Sequence, residues 1–239
     1  MKNIQYLLIA AVVLLASEPL FAQEIRQSLP EGDIREYQQK VGEYALPFNG
    51  KEQSGYYLNL TNHPYWYTDE LVPGDLLYNN ILYKDVLMRF DLYRDEFIVR
   101  MPNKPFLIVL EYEKFGQAFL HGYTVVSSLK YQLKNAPAGK YHILLHEGEF
   151  PVIKSYGSTL DEKIVDRSIE HTFRFAEKIY VSKDNTCYQV SRKSALLKLF
   201  PDKKKELEAY IKQNKLKFNK LQKETSILRV VEYYETLMR

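Results

Sequence analysis

Two histidines, His142 and His146, stand four residues apart in YHILLHE, followed by Glu147. On a helix that spacing puts both imidazoles on one face and suits zinc. Here the neighbours are apolar and β-compatible, and Glu147-Gly148 reads as a hairpin turn. On a strand four residues span ~13 Å, too far for one metal ion. His63, His121 and His171 are scattered, and each reads as a polar residue at a sheet rim. Arg89 and Asp91 lie two apart on the wetter face of a strand, with Asp95 and Glu96 in the turn after it. A carboxylate pair serves glycoside hydrolysis only at a defined separation, and a chain with 30 acidic residues offers many pairs. There is no G-x-S-x-G, no glycine-rich phosphate loop and no H-E-x-x-H. The single cysteine, Cys187, excludes an internal disulfide and a thiolate metal cluster. It reads as a buried or partly buried free thiol, with nothing near it in sequence to lower its pKa. No catalytic residue, metal or cofactor is assigned, and an enzyme is the less favoured class.

Two sets of residues are candidates for binding instead. Tyr56, Tyr57, Tyr65, Trp66 and Tyr67 gather around His63-Pro64 in a chain with 20 tyrosines and one tryptophan. Aromatic faces stack on sugar rings and on peptides, which makes this a candidate platform. The plainer reading is a strand and loop packed across the open end of a β-domain, because aromatics most often serve packing. The second set is Lys203, Lys204 and Lys205, just after Pro201-Asp202. They sit at the positive end of a helix dipole, where cations are unfavourable. An acidic partner or nearby carboxylates would compensate; otherwise the cost is small and tolerated. From Arg192 onward there are 13 Lys/Arg and 6 Asp/Glu, a net charge of +7, while the rest of the chain carries −4. Such an end suits anionic lipid head groups, an acidic partner or the protein's own acidic body, with a solvated helix surface as the plain alternative.

These candidates are positioned by a β-rich middle. Val86, Met88, Phe90 and Leu92 alternate with Leu87, Arg89, Asp91 and Tyr93, the period of a half-buried strand. Phe97 to Met101 follows, then a Pro102–Pro105 turn, then Phe106 to Leu110, apolar on both faces. Pro73-Gly74 reads as the turn that opens the domain. Lys114-Phe115-Gly116 reads as a turn into one strand, Ala118 to Val126. Tyr141 to His146 and Pro151 to Ser155 form a hairpin, and Gly157 to Arg167 reads as a polar stretch with room for one helical turn. His171 to Phe175, Ile179 to Ser182 and Tyr188 to Val190 complete nine or ten strands. Short breaks favour antiparallel neighbours. The expected fold is α+β, mainly β: an antiparallel meander, as a curved sheet or an up-and-down barrel, followed by a small C-terminal helical segment. Asp33 with Glu36 has the spacing of a capping box for a helix from about Ile34 to Ala45. At the other end Ser191 is placed to cap the first of three short amphipathic helices that must dock on the sheet.

Met1 to Ala22 reads as a secretory signal: Lys2, an apolar run from Ile4 to Ala16, and a small residue, Ala22, before cleavage. The run is short for a ~20-residue membrane span. The expected organisation is 1–22 signal peptide; 23–70 N-terminal extension with a short helix and the aromatic segment; 71–190 antiparallel β-domain; 191–239 basic helices packed on it. Export sets the expected location as periplasmic or secreted and makes nucleic acid a poor partner. No transmembrane span is expected after cleavage.

Two stretches carry a resemblance. VLMRFDLYRDEFIV, preceded by PGDLLYNNILYKD, and the ending KSALLKLFPDKKKELEAYIKQNKLKF with Tyr233-Tyr234 after it, resemble small exported proteins of unknown function from Bacteroidetes-type bacteria. The resemblance implies an envelope or secreted location and a non-enzymatic role, and no functional residues. The expected function is therefore a binding or assembly module for a protein of the cell envelope, with lipid or glycan as further ligand classes. The alternatives are a carrier of a small apolar ligand, in a pocket lined by Phe90, Phe97, Phe106 and Phe119, and an envelope glycan or peptide hydrolase.

Overall fold

The computed structural model describes residues 31–131 and 134–239. The expected signal peptide, 1–22, and the polar lead-in lie outside the described residues. The chain divides after Lys40. Helix α1 (Glu31–Val41) begins earlier than the capping-box spacing predicts, so Asp33 and Glu36 lie within its first turns. Glu36 pairs there with Lys40 at 2.6 Å, exposed on both sides.

From Val41 to Arg239 the protein is one sheet of eleven strands followed by helices. The strands are β1 (Lys51–Glu52), β2 (Val72–Tyr78), β3 (Ile81–Asp91), β4 (Glu96–Arg100), β5 (Leu107–Val109), β6 (Phe115–Leu120), β7 (Tyr123–Ser127), β8 (Tyr141–His146), β9 (Val152–Val165), β10 (Ser168–Lys183) and β11 (Thr186–Gln189). A four-residue helix α2 (Ser128–Tyr131) follows β7. The order across the sheet is β1-β5-β4-β3-β2-β6-β7-β8-β9-β10-β11, every neighbour antiparallel and the sheet not closed. The chain meanders outward from β2 to β5, returns to the other side of β2, and meanders out again to β11.

That return fixes the curvature. β5 and β6 are four strand spacings apart, about 19 Å on a flat sheet, yet only residues 110–114 join them, and a 3₁₀ turn at Tyr112–Lys114 makes that link too compact to cover the distance. The sheet rolls instead. Phe97 on β4 lies 4.8 Å from Phe115 on β6 and 5.0 Å from Tyr141 on β8, measured between ring centres. Phe90 stacks on Phe97 at 4.8 Å. These rings, with Leu76, Tyr78, Met88 and Val125, fill the inside of the roll.

Helices α3 (Lys193–Leu199), α4 (Lys204–Gln213) and α5 (Lys223–Met238) cover the continuation of the same face on β9–β11. Phe150, Val152, Ile179 and Val181 meet Leu196, Phe200, Leu207, Ile227 and Val231 there. Leu145 packs against both cores. Lys154, almost fully buried, pairs with Glu224 at the start of α5 and lies 3.7 Å from Glu177. At the other end of α5 Glu235 accepts from the Phe150 N–H and bonds the His146 ring, both at 3.0 Å.

Several local expectations change. Pro73-Gly74 lies inside β2, not in a turn. A Cβ on Gly74 would come within 2.5 Å of the Phe119 carbonyl oxygen, so glycine marks a close approach of β6. Lys114-Phe115-Gly116 is a 3₁₀ turn (Tyr112–Lys114) running straight into β6. Ala118 to Val126 is two strands, split by a His121-Gly122 turn with φ 53 and 80. The polar stretch 157–167 is strand: β9 and β10 run on as one long hairpin, turning at Asp166-Arg167. Its arm is polar because it stands clear of both cores, and it is held from outside by the 59–62 segment. Ser191 does not cap α3, whose N-cap position is Arg192 with no side-chain cap bond.

Candidate binding surface

Residues 53–69 run across the mouth of the roll and bind both sides of it. At one end Gln53 N–H donates to the Leu107 carbonyl on β5, 2.8 Å. In the middle Thr61 N–H donates to the His171 carbonyl and the Asn62 side chain clasps Phe173 on β10, donating to its carbonyl at 2.9 Å and accepting from its N–H at 2.8 Å. At the far end Leu92 N–H donates to Pro64 and Trp66 N–H to Phe90, pairing this stretch with the last residues of β3. Extended backbone sends alternate side chains to opposite sides. Tyr65 and Trp66 therefore part company.

The outer side is a clamp. The Arg89 guanidinium lies 3.8 Å from the Tyr65 ring centre, while His63 stacks on the same ring at 6.0 Å. Arg94 lies 4.0 Å from the Tyr56 ring centre. Tyr56 donates its hydroxyl to Asp91 at 2.7 Å. Burial, and then the Asp91 carboxylate, push the Tyr56 phenol far above its ordinary pKa. Asp91, expected on the wetter face, is fully buried, because Tyr56 and the Tyr93 and Arg94 N–H groups satisfy it. Tyr56 and Tyr65 thus hold the segment down. Tyr57 stands in solvent, 92% exposed.

The inner side is a shelf. Trp66 is 4% exposed and donates Nε1–H to the Tyr156 hydroxyl on β9 at 3.2 Å. Its ring meets His121 edge-on at 5.5 Å and Tyr123 at 5.8 Å. Tyr67 closes the group, 60% exposed, stacked on Tyr123 at 6.3 Å and edge-on to His121 at 5.1 Å. The Tyr67 backbone has φ 63, and Thr68 N–H returns to the Trp66 carbonyl at 2.9 Å. A three-residue turn with positive φ at its centre is rare and strained, more so for an aromatic residue. Most other positive-φ residues here are Asn or Asp, for which that region is accessible. The strain presents one tyrosine face to solvent against a fixed aromatic wall. Burial raises the Tyr67 phenol to about 12, helped by its bond to Tyr123, and burial lowers the His121 imidazole. Both groups are neutral near pH 7.

The aromatic set of the sequence therefore splits in two, and the shelf gains three residues that sequence distance hides: His121, Tyr123 and Tyr156. The lysine set lies elsewhere, at the start of α4, with Lys203 half-buried and Lys204 and Lys205 exposed. The four phenylalanines of the carrier reading do not share a pocket. Phe90 and Phe97 are buried in the roll, while Phe106 and Phe119 are 44% and 52% exposed. The histidines do not converge either. His142 is buried, His146 pairs with Glu235 and His171 lies 3.4 Å from Glu162. Among the described residues no group of three His, Cys, Asp or Glu side chains could hold a metal ion. Burial pushes the Cys187 thiol up, away from the thiolate. No described helix is long and apolar enough to cross a membrane. Comparison with family models, with curated proteins and with solved structures finds no match.

Proposed function

We propose that this chain is an exported, non-enzymatic binding module of the cell envelope that holds a protein partner on the Trp66–Tyr67–His121–Tyr123–Tyr156 shelf. The observation that carries the reading is Tyr67: a largely exposed ring on a strained turn, backed by Trp66, by His121 in the β6–β7 turn and by Tyr123 on β7. Large, rigid aromatics with few rotamers are the commonest anchors of protein interfaces, because little entropy is lost when they are covered. Strain spent on a residue that still leaves 60% of its surface to solvent supports an external use. The N-terminal apolar run from Ile4 to Ala16 supports the proposed export and envelope location.

The test is photocrosslinking in the producing cells, with a benzophenone amino acid at position 67 and, as control, at Tyr188 on β11. A single crosslinked protein at position 67, absent at 188 and lost when Tyr123→Ala is added, is the expected result. Equal crosslinking at both positions, or none at 67, refutes the shelf as the partner site.

A further inference from the structure

The basic end of the chain is concave where its first two helices meet. Between α3 and α4 lies an open groove of ≈ 670 Å³. Arg192, Lys193, Lys198 and Lys204 line it, against one carboxylate, Glu208. Among the described residues none of these four cations takes part in an ion pair. The neighbouring carboxylate, Asp202, accepts the Tyr234 hydroxyl at 3.2 Å and, among the described residues, makes no ion pair with them. α3 itself, KSALLKL, contains no acid. Among the described residues the groove thus keeps four cations against the single carboxylate Glu208, although Lys154 shows that this chain pairs a cation where the fold needs it.

The rest of the lining is Ser194 and an apolar wall from Leu197 and Pro201. The volume falls in the range of small-molecule sites, about 300–1,000 Å³, and far exceeds a bare phosphate or carboxylate. Cations above an apolar wall match a ligand with an anionic head and an apolar body. We propose that the α3–α4 groove binds one amphiphilic anion, its phosphate or carboxylate head against Arg192, Lys193, Lys198 and Lys204 and its apolar part along Leu197 and Pro201. The site stands apart from the shelf, and neither proposal depends on the other.

The test uses the mature full-length chain with short-chain phosphatidylglycerol, octanoate and inorganic phosphate as soluble probes. Vesicles of phosphatidylcholine with and without phosphatidylglycerol are the bilayer probes. Binding of at least one soluble amphiphile, one per chain, weakened about tenfold or more by Lys198→Glu with Lys204→Glu, is the expected result. Lys198→Gln with Lys204→Gln, both at exposed positions, repeats the measurement with a milder change. Unaltered Trp66 fluorescence reports that each variant is folded. Sedimentation with phosphatidylglycerol vesicles assigns the head group to a bilayer; soluble binding without it assigns a free amphiphile. Inorganic phosphate binding as tightly as the amphiphiles, no binding by either amphiphile, or binding unchanged in both double variants overturns the proposal.

Discussion

His142 gives the sharpest quantitative prediction. It points away from the roll interior, on the face of β8 that carries Leu144, with Val126 opposite it on β7. It is 3% exposed, and neither ring nitrogen has a hydrogen-bond partner among the described residues. Burial lowers its pKa from 6.5 to about 4. The unfolded chain takes up the proton near pH 6.5, whereas the folded chain resists it until about pH 4. Stability from this group is therefore complete above the upper value and is lost progressively as pH falls through the window between the two. At about 1.4 kcal/mol per pH unit the full loss is about 3 kcal/mol, of which about 2 kcal/mol appears between pH 7 and pH 5. Urea unfolding followed by Trp66 fluorescence measures it, comparing the wild-type chain with His142→Leu at both pH values and requiring equal m-values. The variant should lose that share of the pH dependence. His121 also titrates low through burial, and taking the difference between the two proteins removes its contribution. If both proteins lose the same stability between pH 7 and 5, His142 is not held neutral by burial and the reasoning fails.

Three further substitutions test how the mouth and the helices are held. Gly74→Ala forces a methyl against the Phe119 carbonyl and should cost about 2 kcal/mol or more in chemical unfolding, where an ordinary open strand position would be near neutral. Tyr56→Phe leaves one oxygen of buried Asp91 without its donor and should cost about 1–3 kcal/mol, with faster proteolysis within 53–69 as the local readout. Lys154→Met removes the cation from Glu224 and Glu177. Because both carboxylates keep some access to water, about 2 kcal/mol is expected, with hydrogen exchange accelerating first in α5.

Where one face of a strand was buried, its period was legible. The alternation at 86–92 places Val86, Met88, Phe90 and Leu92 inside, and the meander followed from short breaks. The misreadings share a cause. At Pro73-Gly74 residue type argued for a turn and at 157–167 for a polar stretch with one helical turn, but partners distant in sequence overrode both: β6 presses on Gly74, and residues 59–62 hold the polar β10 arm. The outer arm of the β9–β10 hairpin has no apolar period because Phe173 is the one residue between 157 and 178 that is buried. The shelf was half legible. Trp66 and Tyr67 stood out by composition, but Tyr123 and Tyr156 join them only because the sheet rolls, and roll depends on the β5–β6 return. The His121-Gly122 hairpin was the one local signal that would have found a third member. Asp91 looked solvent-facing because its strand period could not reveal Tyr56 arriving from 35 residues earlier.

The way residues 53–69 are tied across the mouth bears on the order in which the surface comes into being. Its anchors on β10, at His171 and Phe173, lie about 110 residues downstream of Thr61 and Asn62. If the chain is exported from its N-terminus, as proposed, Trp66 and Tyr67 emerge early; their ties to Phe90 and Leu92 can form then, but those of the segment to β9 and β10 wait until the last long hairpin has emerged. Contacts so far apart in sequence form late, since the intervening loop must be closed first. The shelf is thus a certificate of completion: it exists only on molecules whose sheet has rolled and whose last long hairpin is in place. A partner that recognises the whole shelf would pass over translocating or half-folded copies without any separate quality check.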